Sequence, residues 1–271
     1  AMIVRERYMR LIRDFMDKPV IKIITGMRRS GKSALLELTH QELLDRGVDR
    51  KNIIFINFES LRYEALRDYK ALRDYKALYA EIIKIAGQTE GRIYVLLDEI
   101  QEVNAWEQVI NSLRVDLDCD IYVTGSNAKL LSGELATLLA GRYVEIQVYP
   151  LDFEEYLAFT AENEDEAKLS KREQFANFLR FGGLPGIHQL KWDEDRVMQY
   201  LHDIYNSVLL KDVIARNRIR DTALLESIVL YLMDNIGNTF STKTISNFLK
   251  NQKQKRKQIT MITVFSLLSF F

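Results

Sequence analysis

Between a β-branched run, Val20-Ile21-Lys22-Ile23-Ile24, and a stretch of helical spacing from Ala34 to Arg46 lies the segment Thr25-Gly26-Met27-Arg28-Arg29-Ser30-Gly31-Lys32-Ser33. It carries a full G-x-x-x-x-G-K-S pattern in the strand–loop–helix setting where that pattern has a mechanical meaning. The β-branched run is the kind that forms a buried parallel strand, and Gly47 closes the helix. The loop would present backbone N–H groups from Met27 to Ser30 at a helix N-terminus, where unpaired amides and the helix dipole favour phosphate oxygens. Gly26 and Gly31 let the chain curl without Cβ clashes. Lys32 would reach the β- and γ-phosphates of a nucleoside triphosphate, and the Ser33 hydroxyl would ligate Mg²⁺.

A second element sits where this chemistry needs it. Arg92-Ile93-Tyr94-Val95-Leu96-Leu97-Asp98-Glu99 is an apolar strand ending in adjacent carboxylates, which places the pair at the carboxyl edge of a parallel sheet. Asp98 is expected to hold the Mg²⁺ and Glu99 to polarise an attacking water. Lys51–Phe58 reads as a strand between the two motifs, and Ile121–Asn127 as one after them. That order suits a sheet in which an extra strand separates the loop strand from the acidic strand. No Asn-Lys-x-Asp guanine-reading motif occurs, and nothing resembles the Arg-rich lid of a small-molecule kinase. At the end of the last strand, Ser126 or Asn127 would contact the γ-phosphate or the water as a sensor; polar residues there are also routine turn formers.

These residues resemble a known family. The loop with its double arginine, then Leu97-Asp98-Glu99-Ile100-Gln101 with Trp106, Thr124-Gly125-Ser126, Gly141-Arg142 and Pro150-Leu151-Asp152-Phe153, look like the prokaryotic AAA-type P-loop ATPases of the AAA_14/DUF4143 group. The likeness runs to about Leu249. It implies an α/β fold, a P-loop parallel sheet with flanking helices followed by an all-helical lid, and ATP and Mg²⁺ as ligands. It also implies a role for Arg142, which is similar in position to the arginine finger that acts on a neighbour's nucleotide; the alternative is a surface arginine capping a helix. Gly182-Gly183-Leu184-Pro185-Gly186 resembles the Gly-x-Pro element that signalling relatives place against the adenine base. Leu184 and Pro185 are then candidate base contacts, with an ordinary tight turn as the alternative.

The 271 residues, 47% of them apolar, suffice for domains with real cores. Lys+Arg and Asp+Glu balance at 38 each, which excludes polyanion binding by bulk charge. With one cysteine there is no internal disulfide framework, and no secretory h-region or membrane span is read, so a cytoplasmic location is expected. Tyr8, Leu11, Ile12, Phe15 and Met16 predict an amphipathic helix packed on the nucleotide domain. A tandem hexapeptide, Tyr63–Asp68 then Tyr69–Asp74, sits within a predicted helix ending near Ala86. Six residues add about 9 Å and rotate the downstream turns by roughly 240°, so the copied turns cannot keep one face inward.

After Val148 the pattern turns helical: Phe153–Thr160, Glu173–Phe181, Arg196–Arg216 and Ala223–Asn235. The expected division is residues 1–150 for the P-loop domain with its N-terminal helix, 151–240 for a helical lid, and 241–271 for an incomplete winged-helix-like segment. Within the last, Lys250–Gln258 is basic and Ile259–Phe271 apolar, too short a stretch to span a bilayer. The expectation is a Mg²⁺-dependent ATPase coupled to conformational change, with a homo-oligomer and a DNA or protein client as candidate partners. The alternative is a nucleotide-gated switch with little turnover.

Overall fold

Strand side chains alternate between two apolar layers, and this alternation decides which of them reach the phosphate-loop face of the sheet. The computed structural model describes residues 2–59, 75–125, 139–190, 192–207, 214 and 221–251. The chain divides into two compact units, Ala1–Asp193 and Glu194–Phe271.

In the first unit, β1 (Ile21–Gly26), β2 (Ile53–Asn57), β3 (Ile93–Asp98), β4 (Cys119–Thr124) and β5 (Tyr143–Val148) form one parallel sheet in the order β2-β3-β4-β1-β5. β1 and β3 are buried along their whole length, as expected for central strands covered on both faces. Helices α1 (Glu6–Phe15), α2 (Lys32–Asp45), α3 (Tyr75–Ala86) and α4 (Trp106–Asp116) flank the sheet. Ile21, Ile23, Val95, Leu97, Ile121 and Val123 pack with Leu78 and Ile82 of α3 and Val109 and Ile110 of α4. The intervening side chains, Ile24, Leu96 and Tyr122, pack with Ile12 of α1 and Leu35 and Leu36 of α2. Asp98 and Thr124 share the parity of Leu96 and Tyr122, so both strand ends aim at the face that carries α2.

The buried stripe of α1 is Tyr8, Met9, Ile12 and Met16; Leu11 is exposed. At 100° per residue, Leu11 falls about 115° from the centre of that stripe, while Met9 falls inside it. Both copies of the duplicated hexapeptide lie outside the described residues.

Beyond β5, helices α5 (Phe153–Ala161) and α6 (Lys171–Phe181) begin with capping boxes, Asp152 with Glu155 and Ser170 with Glu173. By their contacts both helices group with the sheet. The second unit contains α7 (Glu194–Tyr205), α8 (Thr222–Asp234) and α9 (Thr242–Asn251). Leu224, Leu225, Ile228 and Tyr231 of α8 pack on Ile245 and Leu249 of α9. A winged helix also needs a β wing, and among the described residues of this unit there is no strand, so no winged-helix feature is evident. The basic run from Gln252 and the apolar stretch lie outside the described residues. Among the described residues no helix is long and apolar enough to cross a membrane.

Candidate nucleotide site

The loop joining β1 to α2 owes its shape to close backbone packing. Gly26 has φ +147°, and a Cβ there would lie 2.3 Å from the Val148 carbonyl oxygen of neighbouring β5. The chain then turns tightly: the Ser30 N–H and hydroxyl both donate to the Met27 carbonyl, at 3.3 and 2.9 Å. Arg29 (φ 63°) and Gly31 (φ +99°) are left-handed, the kind of turn that gathers backbone amides into an anion-binding concavity. Met27, Arg28 and Arg29 stand exposed on the loop, whereas Ser30 and Lys32 are buried. Lys32 Nζ crosses the loop to donate to the Met27 carbonyl at 3.0 Å and lies 3.9 Å from Glu99 Oε1. Burial pushes the Lys32 ammonium below its ordinary pKa, against the pull of Glu99 and Asp98.

β4 lies between the loop strand and the acidic strand, as the sequence order predicts. Asp98 is 1% exposed, and three side chains donate to it. Ser33 Oγ reaches Oδ1 at 3.0 Å, Asn57 Nδ2 reaches Oδ2 at 3.1 Å, and the Thr124 hydroxyl also donates to Oδ1. Burial raises the Asp98 pKa, and the Thr124 and Ser33 hydroxyls oppose that shift. Glu99 is left-handed (φ 57°); its N–H donates to Thr124 Oγ1 at 3.0 Å, and its Oε2 accepts from the Gln101 amide.

Ser33 and Asp98 form a hard-oxygen pair at the mouth of the loop. That donor set fits Mg²⁺, which takes one or two protein oxygens and completes its shell with water and phosphate. Among the described residues no group of three or more His, Cys, Asp or Glu could hold a metal, so a dedicated all-protein cage is not the arrangement here.

The Gly-Pro element also lies at the loop. Gly183 packs so tightly on Leu151 that a Cβ would sit 2.2 Å from the Leu151 carbonyl oxygen, and the Leu151 N–H donates to the Gly183 carbonyl at 2.6 Å. Pro185 is buried, its Cγ 3.9 Å from where a Gly31 Cβ would be. The short 3₁₀ turn Pro185–Gln189, entered from half-buried Leu184, is fixed by His188 Nδ1, 2.8 Å from buried Glu166 Oε2, and by Asn163 Nδ2 donating to the His188 carbonyl at 3.0 Å.

Arg142 is not part of this cluster. It precedes β5 at the amino edge of the sheet, where its carbonyl accepts from the Ile21 N–H at 2.9 Å and its Nη1 donates to Asn111 Oδ1 at 3.0 Å. β5 is six residues long, so about 20 Å of strand separates it from the loop edge. Ser126 and Asn127 lie outside the described residues; Gly125 is the last one described on that strand, its N–H donating to the Ile24 carbonyl at 3.2 Å.

Three contributors have no role assigned by the sequence reading. Asn57 closes apolar β2 with a polar side chain at the site's own sheet edge, the same signal that marks Asp98. Gln101 comes two residues after the acidic pair. Arg5, whose Nη1 donates to the Ser30 carbonyl of the loop at 2.9 Å, gives no sequence signal, because its partners are remote in the chain.

Fold and site together define a P-loop NTPase, of the kind in which one strand separates the phosphate loop from the acidic pair. The chain belongs to the AAA_14 family: that family's model, described as an AAA domain, matches residues 18–157. Residues 172–269 match a domain of unknown function, DUF8612, rather than DUF4143. An uncharacterized protein of Haemophilus influenzae is 40% identical over 99% of this chain and 64% of its own length. The uncharacterized protein MJ1544 of Methanocaldococcus jannaschii is 31% identical over 93% of this chain and 54% of its own. The chain thus spans less than two thirds of the length of these relatives. Solved structures that the chain matches include the Aeropyrum pernix ORC1 protein in complex with DNA, 14% identical over 99% of this chain and 83% of that one, TM-score 0.44. AMPPCP-bound DnaA from Aquifex aeolicus is 18% identical over 98% and 86%, TM-score 0.43. Family membership supports nucleotide binding and ATP hydrolysis in general.

Proposed function

We propose that the chain binds ATP with Mg²⁺ at the β1–α2 loop and hydrolyses it with Glu99 as general base, coupling turnover to movement of its helical segments or of a DNA or protein client. The observation that carries this reading is the approach of Glu99 Oε1 to within 3.9 Å of Lys32 Nζ across an intervening strand. It puts a carboxylate beside the group expected to hold the terminal phosphates. Met27–Ser33 would cradle the phosphates through backbone amides and Lys32. Ser33 and Asp98 would hold the Mg²⁺, which when bound offsets phosphate charge. Glu99 would orient a water and take its proton. Pro185 borders the loop, and with the preceding Leu184 it would limit where the base can lie. Glu99→Gln is expected to keep nucleotide affinity and lower kcat about 10²- to 10⁴-fold, the usual contribution of a positioned base. Undiminished turnover in that variant would remove the assignment.

A second reading is favoured by two observations. Glu99 Oε2 is held by Gln101, and Arg142 stands at the far edge of its own sheet, so the base is restrained and Arg142 does not serve the site of its own chain. Under this reading the protein holds ATP or ADP as a switch, and its helical segments recognise DNA or protein while turnover stays negligible. Steady-state ATP turnover over a range of protein concentrations, with and without DNA, separates the two.

A further inference from the structure

Arg5, just before α1, has a heavily bonded side chain beside the loop. It is 4% exposed. Nη1 donates to the Ser30 carbonyl at 2.9 Å and the Tyr149 carbonyl at 3.0 Å; Nη2 donates to Glu155 Oε2 at 2.6 Å and the Pro150 carbonyl at 3.4 Å; Nε donates to Glu155 Oε1 at 2.9 Å. A guanidinium has five N–H groups, and here each finds an acceptor. Its Cζ sits 4.5 Å from the centre of the Tyr8 ring, and the Tyr8 hydroxyl accepts from the Tyr149 N–H at 3.1 Å.

Four segments meet on this one ion: the start of α1, the phosphate loop, the exit of β5 and the first turn of α5. The Ser30 carbonyl belongs to the loop itself, and a Cβ on the next residue, Gly31, would lie 4.0 Å from Nη1. The fork therefore braces the loop on the side of Ser30 and Gly31. Its other arm grips Glu155 in a bidentate pair, and Glu155 is also the N3 residue of the α5 capping box, its Oε2 accepting from the Asp152 N–H at 3.2 Å. Any shift of Ser30 thus pulls on the residue that fixes the start of α5. A buried ion pair of this kind is weak support for stability by itself, because desolvation offsets most of its attraction. What it supplies is geometry, since a lysine has no planar fork with which to meet the four segments at once.

We infer that Arg5 is a positioning residue for nucleotide binding: through the Ser30 carbonyl it sets the phosphate loop, and through Glu155 it ties the loop to α5, so that filling the loop is felt at the first helix beyond the sheet. This rests on the nucleotide-binding reading above.

The test compares the full chain with its Arg5→Lys and Glu155→Gln variants by titration of a fluorescent ATP analogue with Mg²⁺ and by hydrogen–deuterium exchange. For the unaltered chain, the analogue is expected to slow exchange both in the loop and in the first turn of α5. Arg5→Lys should raise Kd roughly tenfold, raise KM in proportion, and abolish the nucleotide-dependent protection of α5. Glu155→Gln, which leaves Arg5 its bonds to Ser30 and Tyr149, should also lose the α5 response, and it decides the matter alone if Arg5→Lys does not fold. A lower melting temperature with unchanged Kd in Arg5→Lys would make the residue merely structural and overturn the inference. Persistent α5 protection in Glu155→Gln would overturn the coupling. An unaltered chain that folds but binds no analogue would overturn the nucleotide reading and this inference with it, a result distinct from either variant's failure.

Discussion

The pKa values of Lys32 and Asp98 are displaced in opposite directions by the same cause, burial. For Lys32 the folded pKa lies below the unfolded value, so its contribution to stability is present above the unfolded pKa and lost as pH falls through the folded one. Phosphate oxygens at the loop would offset the desolvation of this ammonium. Lys32→Met is expected to leave the melting temperature of the free protein unchanged or higher while removing the upward shift on adding MgATP; differential scanning fluorimetry reads both. For Asp98 the folded pKa is raised, so its contribution is fully present below the unfolded value of about 4 and lost as pH rises through the folded one. The difference in unfolding free energy between the chain and Asp98→Asn, measured by urea titration without nucleotide, should consequently shift in favour of the native aspartate as pH is lowered through that window. A pH-independent difference would contradict the assignment. Both residues are legible in the sequence because they sit in motifs whose spacing fixes their place. Arg5 is not, because a single arginine at a helix start has no spacing to read, and its meaning comes from Ser30, Tyr149 and Glu155, residues 25 to 150 positions away.

Among the elements, the central strands are readable because burial on both faces demands the largely apolar runs seen at Ile21–Gly26 and Ile93–Asp98. The order of β3, β4 and β1 comes from the motifs that those strands carry. The face of α1 is harder, since Leu11 and Met9 are both apolar and only packing chooses between them. One apparent exception inside β1 is Lys22, fully buried on the α1–α2 side with its ammonium on Asp120 Oδ1. The same carboxylate accepts from the Tyr122 hydroxyl at 2.7 Å and from the Asp17 N–H at 2.8 Å, closing the amino edge of the sheet. Burial lowers the Lys22 pKa even so. Lys22→Met leaves Asp120 charged and without its cation, and is expected to cost about 3–5 kcal/mol in chemical denaturation. Combining it with Asp120→Asn should recover part of that loss, because the orphaned charge is then gone.

For the molecule as a whole, the decisive distance is the length of β5 between Arg142 and the loop edge. A guanidinium at the opposite end of the sheet serves a nucleotide only on another copy of the chain. If it does so, specific ATPase activity is expected to rise with protein concentration, and Arg142→Ala to remove that rise with a loss of about 10³- to 10⁵-fold at saturation, as for other trans-acting arginines. Activity that is high and independent of concentration would exclude the role. The helical character of the second unit is visible in the spacing of Leu224, Leu225 and Ile228, but its topology is not, since a wing is a long-range pairing that apolar spacing does not encode. Family membership assigns the sheet and its chemistry to the first unit, while the relatives extend well beyond the length matched here.

Gly183 has a bearing on heritable variation. A methyl group there would meet the Leu151 carbonyl at 2.2 Å, and relief requires the chain to back away, taking Pro185 from its place beside Gly31. The position belongs to no phosphate-binding motif, yet even its mildest replacement, alanine, would act on the same loop as a change at Gly26. Substitutions at two glycines more than 150 residues apart would thus disturb one loop, and a survey confined to the familiar motif would see only the first of them.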